Sequence, residues 1–65
     1  MLKDVTRLTI TTYKGREMHF VHTKLAITDY SLELFNKDTL ELEYMIPRNQ
    51  IEKMVIVMKE DEING

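Results

Sequence analysis

The chain has no cysteine, and glycine occurs only at Gly15 and at its last position. Without cysteine it can form neither a disulfide nor a thiolate metal site. We therefore expect a cytoplasmic protein, since disulfide-rich proteins belong to oxidising compartments. One glycine ahead of the C-terminus cannot build the glycine-rich loop that cradles phosphates. Nucleotide enzymes of that kind are therefore excluded.

Charge of one sign and long apolar runs are lacking as well. Nine basic and eleven acidic residues give a net charge of −2, so no overall positive excess is available for a nucleic-acid backbone. The longest apolar run, residues 54–58, is far too short to span a bilayer. No apolar segment follows the N-terminal residues, so we expect no signal peptide. We expect no membrane association.

The length of the chain, 65 residues, allows one domain. We assign it to residues 1–59 and interpret residues 60–65, which are rich in Glu and Asp, as a frayed acidic tail. A domain of this size buries only about 60% of its unfolded surface, so its core is marginal. Disulfides being excluded, a second chain is a common source of added stability. We expect a homo-oligomer or a protein partner.

The apolar residues alternate with polar ones along most of the chain, which predicts strands. In the clearest case Leu40, Leu42, Tyr44 and Ile46 alternate with mostly acidic neighbours. Turns are predicted around Gly15, at residues 28–31 and at residues 36–38. The pattern predicts an all-β fold, a small five-stranded barrel.

Residues 48–59 are ambiguous. Ile51, Met54, Val55 and Met58 have helical spacing, and Pro47 would suit a first helical position. The alternative fold is therefore an antiparallel sheet closed by a C-terminal helix over these residues. We favour a strand, because residues 54–58 are apolar throughout and rich in β-branched side chains. Residues 47–50 would then form a single 3₁₀-like turn before the last strand.

Residues 46–51, Ile-Pro-Arg-Asn-Gln-Ile, resemble the closing turn of SH3-like barrels, an Ile-Pro-x-Asn-aromatic-Val pattern between the last two strands. The tryptophan and the acidic, Tyr-rich segment that bind proline-rich peptides in that family are missing. This resemblance implies a fold and no ligand.

The chain also resembles Sm-like (Hfq-type) barrels, with residues 5–13 and 25–35 as the first two strands and 44–57 as the last pair. Asp29 and Tyr30 match part of the Asp-x-aromatic element of that family. The resemblance implies a ring that binds single-stranded RNA. The Asn that should follow and the last basic motif are absent, which leaves the RNA pocket of that family incomplete.

An extended segment over residues 54–58 projects apolar side chains two ways, and a small core can bury only one set. Either a closed barrel or a covering loop buries the other set, or a partner does. Methionine is common at adaptable binding surfaces. We predict a protein interface at four residues: Met45, Met54, Ile56 and Met58.

Nucleic-acid contact is the second hypothesis, because single-strand binding combines positive charge with stacking rings. The candidates are Tyr13, Lys14, Arg16 and Arg48, although basic residues at a surface turn are also commonly just solvated. We expect no catalytic residue, cofactor or metal. His19 and His22 are three apart in a predicted strand and so point to opposite faces. Ser31, the one serine, is in a predicted turn.

Overall fold

A computed structural model describes residues 2–58, which contain five β-strands and one 3₁₀ turn. The elements are β1 Lys3–Thr12, β2 Glu17–Ile27, β3 Ser31–Phe35, β4 Leu42–Pro47, η1 Arg48–Gln50 and β5 Ile51–Met58. The all-β class and the five strands are confirmed. The predicted tail, residues 60–65, lies outside the described residues. Within residues 2–58 no helix is long and apolar enough to cross a membrane.

The strands form one antiparallel sheet in the order β4-β3-β2-β1-β5. β2 is the middle strand, β1 pairs with both β2 and β5, and β4 and β5 are the two edges. No strand pairing joins β4 to β5 in the described part of the chain, so the sheet is not closed into the predicted barrel. The 3₁₀ turn predicted between the last two strands is confirmed, and Pro47 immediately precedes η1 in an extended conformation.

The alternative of a C-terminal helix over residues 48–59 is wrong for the described residues 48–58. Val55 pairs with Thr9 and Ile56 pairs with Leu8, so this segment is a strand of the sheet. The physical reason is the run of β-branched side chains at positions 55–57, which pack well on a pleated surface. In addition, β2 occupies only one edge of β1, so the other edge can pair with this segment.

The core lies on one face of the sheet and is built by β1, β2, β3 and β4. Leu8 on β1 is fully buried between Phe20 of β2 and Ile56 of β5. The buried apolar residues are Val5, Leu8, Ile10, Leu25, Leu32, Leu34 and Ile46. Each contributes roughly 1.5–3 kcal/mol through removal of apolar surface from water.

The sheet bends so that it covers its own core. Phe20 on β2 and Tyr44 on β4 are two strands apart, yet their ring centroids are 5.0 Å apart in an edge-to-face contact. His22 in β2 has a φ of 50°, and the strand presents both Val21 and His22 outward at this point before Thr23 turns inward. This local reversal lets one continuous strand contribute to both halves of the curved sheet.

Candidate functional site

The two faces of β5 differ in what they contact. Met54 is opposite Ile10 and Ile56 is opposite Leu8, so both side chains face the core, and Met58, opposite Val5, does the same. These three side chains are only partly buried, because β5 is an edge strand. The inward side of β5 is therefore apolar but incompletely covered.

The outward face of β5 carries Val55 and Val57. Val55 is next to Thr9 on β1 and is 52% exposed, whereas Val57 is next to Arg7 and is partly buried. Val21 on β2 flanks Arg7 from the other side and is also exposed. We call these three valines the outer valine patch. Among residues 54–58, the side chains that project away from the core are thus Val55 and Val57.

The four residues predicted as an interface do not share one surface. Met54, Ile56 and Met58 line the inward side of β5, and Met45 is exposed on β4, at the opposite edge of the sheet, paired with Glu33 of β3. Their role in an interface stays a prediction. The alternating pattern could not tell which set of β5 side chains turns inward, because both sets are apolar.

A groove of about 460 Å³ lies between the β1–β2 hairpin and the segment that joins β4 to β5. One wall is the hairpin, with Tyr13, Lys14 and Arg16. Three of the four predicted nucleic-acid residues are therefore brought together. RNA binding by them stays a prediction.

The rest of the groove comes from residues that sequence reasoning did not assign to a site, apart from Met45, which was predicted as part of a protein interface. Met18 and Met45 line it with Ile46, and the opposite wall includes Pro47, Asn49 and Gln50. The hairpin and the η1 segment are more than thirty positions apart in the chain. No local pattern in the sequence could show that they meet.

Backbone hydrogen bonds hold the hairpin in a defined shape. Thr12 N–H donates to the Arg16 carbonyl over 2.9 Å, and Gly15 N–H donates to the Thr12 carbonyl over 2.9 Å. The Thr12 hydroxyl accepts from Arg16 N–H at 3.1 Å. Gly15 has a φ of 83°, a conformation that glycine adopts without strain. One further bond, from Tyr13 N–H to the Gln50 carbonyl at 3.1 Å, ties the hairpin to η1.

Arg48, the fourth nucleic-acid candidate, does not line this groove. Its Nη1 donates to the Thr28 carbonyl over 3.1 Å, and its backbone N–H donates to the Tyr30 carbonyl over 2.9 Å. The side chain therefore anchors η1 to the β2–β3 turn. Contact of Arg48 with nucleic acid stays a prediction.

The two histidines are both exposed. His19 Nε2 lies 3.0 Å from Glu17 Oε1, and its Nδ1 is 3.1 Å from the Thr9 hydroxyl. Across residues 2–58, no group of three or more His, Asp or Glu side chains is placed to hold a metal ion. The polar contacts of His19 are those of a solvent-facing strand residue.

Comparison of the chain with protein-family models, with curated proteins and with solved structures found no match. The SH3-like and Sm-like resemblances therefore stay predictions. The two candidate surfaces are the β5 edge and the groove between the β1–β2 hairpin and η1.

Proposed function

We propose that this chain is a non-catalytic interaction module, and that its edge strand β5 pairs with β5 of a second copy. One observation carries the proposal: among the described residues β5 is an eight-residue edge strand that pairs with β1 alone, and its residues 54–58 include no charged side chain. Edge strands present unpaired backbone N–H and C=O groups and are templates for pairing with another chain.

Antiparallel pairing about Val55 would match like faces of the two strands. With Val55 opposite Val55 of the second copy, Val57 would lie opposite Lys53 on the outer face. On the inner face, Met54 would lie opposite Ile56. Because strand side chains alternate with a period of two, this register joins the outer faces of the two strands at Val55 and their apolar inner faces at Met54 and Ile56.

Energetics also favour such a contact. The inward side chains of β5 are partly buried in the single chain and could be buried further by a neighbour. Completing the burial of a half-exposed Val, Ile or Met contributes on the order of 1 kcal/mol. A domain this small has a marginal core, so a few such contributions matter. Methionine side chains are flexible and can adapt their shape to such an interface.

We propose that this bent, open sheet is related in fold type to the small SH3-like or Sm-like barrels. The 3₁₀ turn between β4 and β5 supports it, and so does the strong bending of the sheet. The fold type does not imply that this chain binds the ligands of those families, since one scaffold can present different binding sites.

Two lysine substitutions on opposite edges test the proposal. Val55 on β5 and Leu42 on β4 are 52% and 51% exposed, so Val55→Lys and Leu42→Lys are matched in their expected cost to the fold. We expect sedimentation equilibrium to show a wild-type dimer that Val55→Lys converts to monomer, with at least about a tenfold rise in Kd. Leu42→Lys should leave the dimer unchanged. Circular dichroism checks that both variants fold.

Three results would overturn the proposal. A wild-type chain that stays monomeric at its highest soluble concentration excludes self-pairing. A dimer that survives Val55→Lys places the contact elsewhere. Loss of assembly in both variants would replace the β5–β5 pair with a contact between β4 of one copy and β5 of the next, which builds a ring or a filament.

A further inference from the structure

We infer that the groove between the β1–β2 hairpin and η1 is a second binding surface, which takes a short acidic peptide segment carrying an apolar side chain. The surface is separate from the β5 edge, so this inference does not depend on the proposed dimer. It depends on the charge of the groove, on its apolar lining and on the rigidity of its walls.

The charge of the groove is opposite to that of the whole chain. Lys14 and Arg16 are the charged residues among those that line it, and no described residue of the lining is acidic. The chain as a whole carries a net charge of −2. A local positive field beside a neutral surface attracts and orients carboxylates. Arginine adds a planar donor pair that can bind one carboxylate through two hydrogen bonds.

The lining favours an apolar side chain of variable shape. Met18, Met45 and Pro47 contribute carbon and thioether surface, and Met45 is 60% exposed. Flexible methionines adapt to different apolar side chains. Asn49 and Gln50 on the opposite wall bring side-chain amides that can pair with the backbone of an extended peptide.

The walls are set before a ligand arrives. The bond from Tyr13 N–H to the Gln50 carbonyl joins the hairpin to the end of η1, and Arg48 anchors the start of η1 to the Thr28 carbonyl. A preformed groove spares the ordering cost that weakens binding by flexible loops. The structure therefore favours recognition of short segments with few contacts.

Single-stranded RNA is the competing ligand, and the lining suits it less well. Tyr13 is the one aromatic side chain among the described residues of the groove, so a second base has no ring on which to stack. Two cations neutralise little of a phosphate backbone, whose binding depends on releasing several counterions. Met18 and Met45 also offer apolar surface for which a ribose-phosphate chain has no counterpart.

Fluorescence polarisation with three labelled probes tests the inference. The first is a short peptide of Asp and Glu around a central Leu, the second is its Asn and Gln counterpart, and the third is oligouridine. We expect the acidic peptide alone to bind, and the double variant Lys14→Ala, Arg16→Ala to weaken it by about tenfold or more. The matched control is Lys3→Ala, Lys37→Ala, which removes the same charge at two exposed residues outside the groove. Its affinity should equal that of the wild type.

Two further variants separate the groove from the β5 edge. Met45→Gln, which adds no charge, should weaken binding of the acidic peptide because it removes part of the apolar lining, while Val55→Lys should leave peptide binding intact. Equal binding of the acidic and amide peptides, or no binding of either, would overturn the inference. Tighter and salt-sensitive binding of oligouridine, lost with Lys14→Ala and Arg16→Ala, would overturn it in favour of RNA.

Discussion

The two edges of this sheet are built differently. β4 has six residues and is interrupted by a register shift, and it includes Glu43 and ends at Pro47, which has no N–H to donate. β5 has eight residues, and its last five are uncharged and contain no proline. Shortness, charge, proline and bulges are the features by which natural sheets protect an edge.

The difference separates two criteria for an interface, the exposed apolar area and an available backbone edge. β4 exposes Leu42, Tyr44 and Met45, more large apolar side chains than β5 does. Its backbone, however, is poorly suited to accept another strand. β5 exposes less apolar surface but offers a longer backbone edge, whose pairing with β1 is regular over residues 53–57. We therefore assign self-pairing to β5 and give Met45 of β4 to the groove.

The largest expected effect concerns how each edge is attached to the core. Ile46 is the one buried residue of β4, at 7% exposure, whereas β5 spreads its contacts over several half-buried residues. Ile46→Ala should lower the free energy of unfolding by about 2–4 kcal/mol, and Ile56→Ala by about half as much. Urea denaturation at low protein concentration measures both. Equal losses would show that the two edges are attached alike.

A smaller effect concerns the entry to β5. Arg48→Gln removes the bond from the guanidinium to the Thr28 carbonyl and should lower the free energy of unfolding by about 1 kcal/mol. Arg16→Gln, an exposed arginine in the hairpin, is the control and should change it by less than about 0.5 kcal/mol. Thermal unfolding followed by circular dichroism distinguishes them. If the two variants unfold alike, Arg48 does not anchor η1.

The smallest effect concerns the entry to β4. Leu40 precedes that strand with a φ of 63°, a left-handed conformation that leucine rarely adopts and asparagine tolerates. Leu40→Asn should raise the free energy of unfolding by about 0.5 kcal/mol. Leu42→Asn, at a strand position, should lower it instead. A loss of stability in Leu40→Asn would mean that the contacts of Leu40 outweigh its backbone strain.

The left-handed conformation of Leu40 also marks a strand boundary that could not be predicted from the sequence. Alternation of apolar and polar residues predicted five strands and their turns, and it placed Leu40 in a strand with Leu42. The strand begins at Leu42, because the Asn36 side chain holds the β3–β4 turn by accepting from the N–H groups of Asp38 and Thr39. The alternation of apolar and polar residues does not show whether such a turn is one residue longer or shorter.

The candidate sites were predictable only where they are local. Tyr13, Lys14 and Arg16 are neighbours in the sequence and stay neighbours in the fold, so their cluster was found. Arg48 is as basic as they are, but its guanidinium is taken up by a carbonyl on the β2–β3 turn. Whether a basic side chain is engaged within the protein depends on contacts between residues far apart in the chain. No short sequence pattern shows these contacts.

Hydrogen exchange at two protein concentrations tests the central claim, that β5 is the edge that pairs with a second copy. Amides of residues 51–57 that point away from β1 have no partner strand within the described residues 2–58 and should exchange fast when the protein is dilute. We predict that concentration slows exchange in residues 51–58 and leaves residues 42–47 unchanged. Exchange in residues 51–58 that is independent of concentration, or slowing confined to β4, would contradict the account.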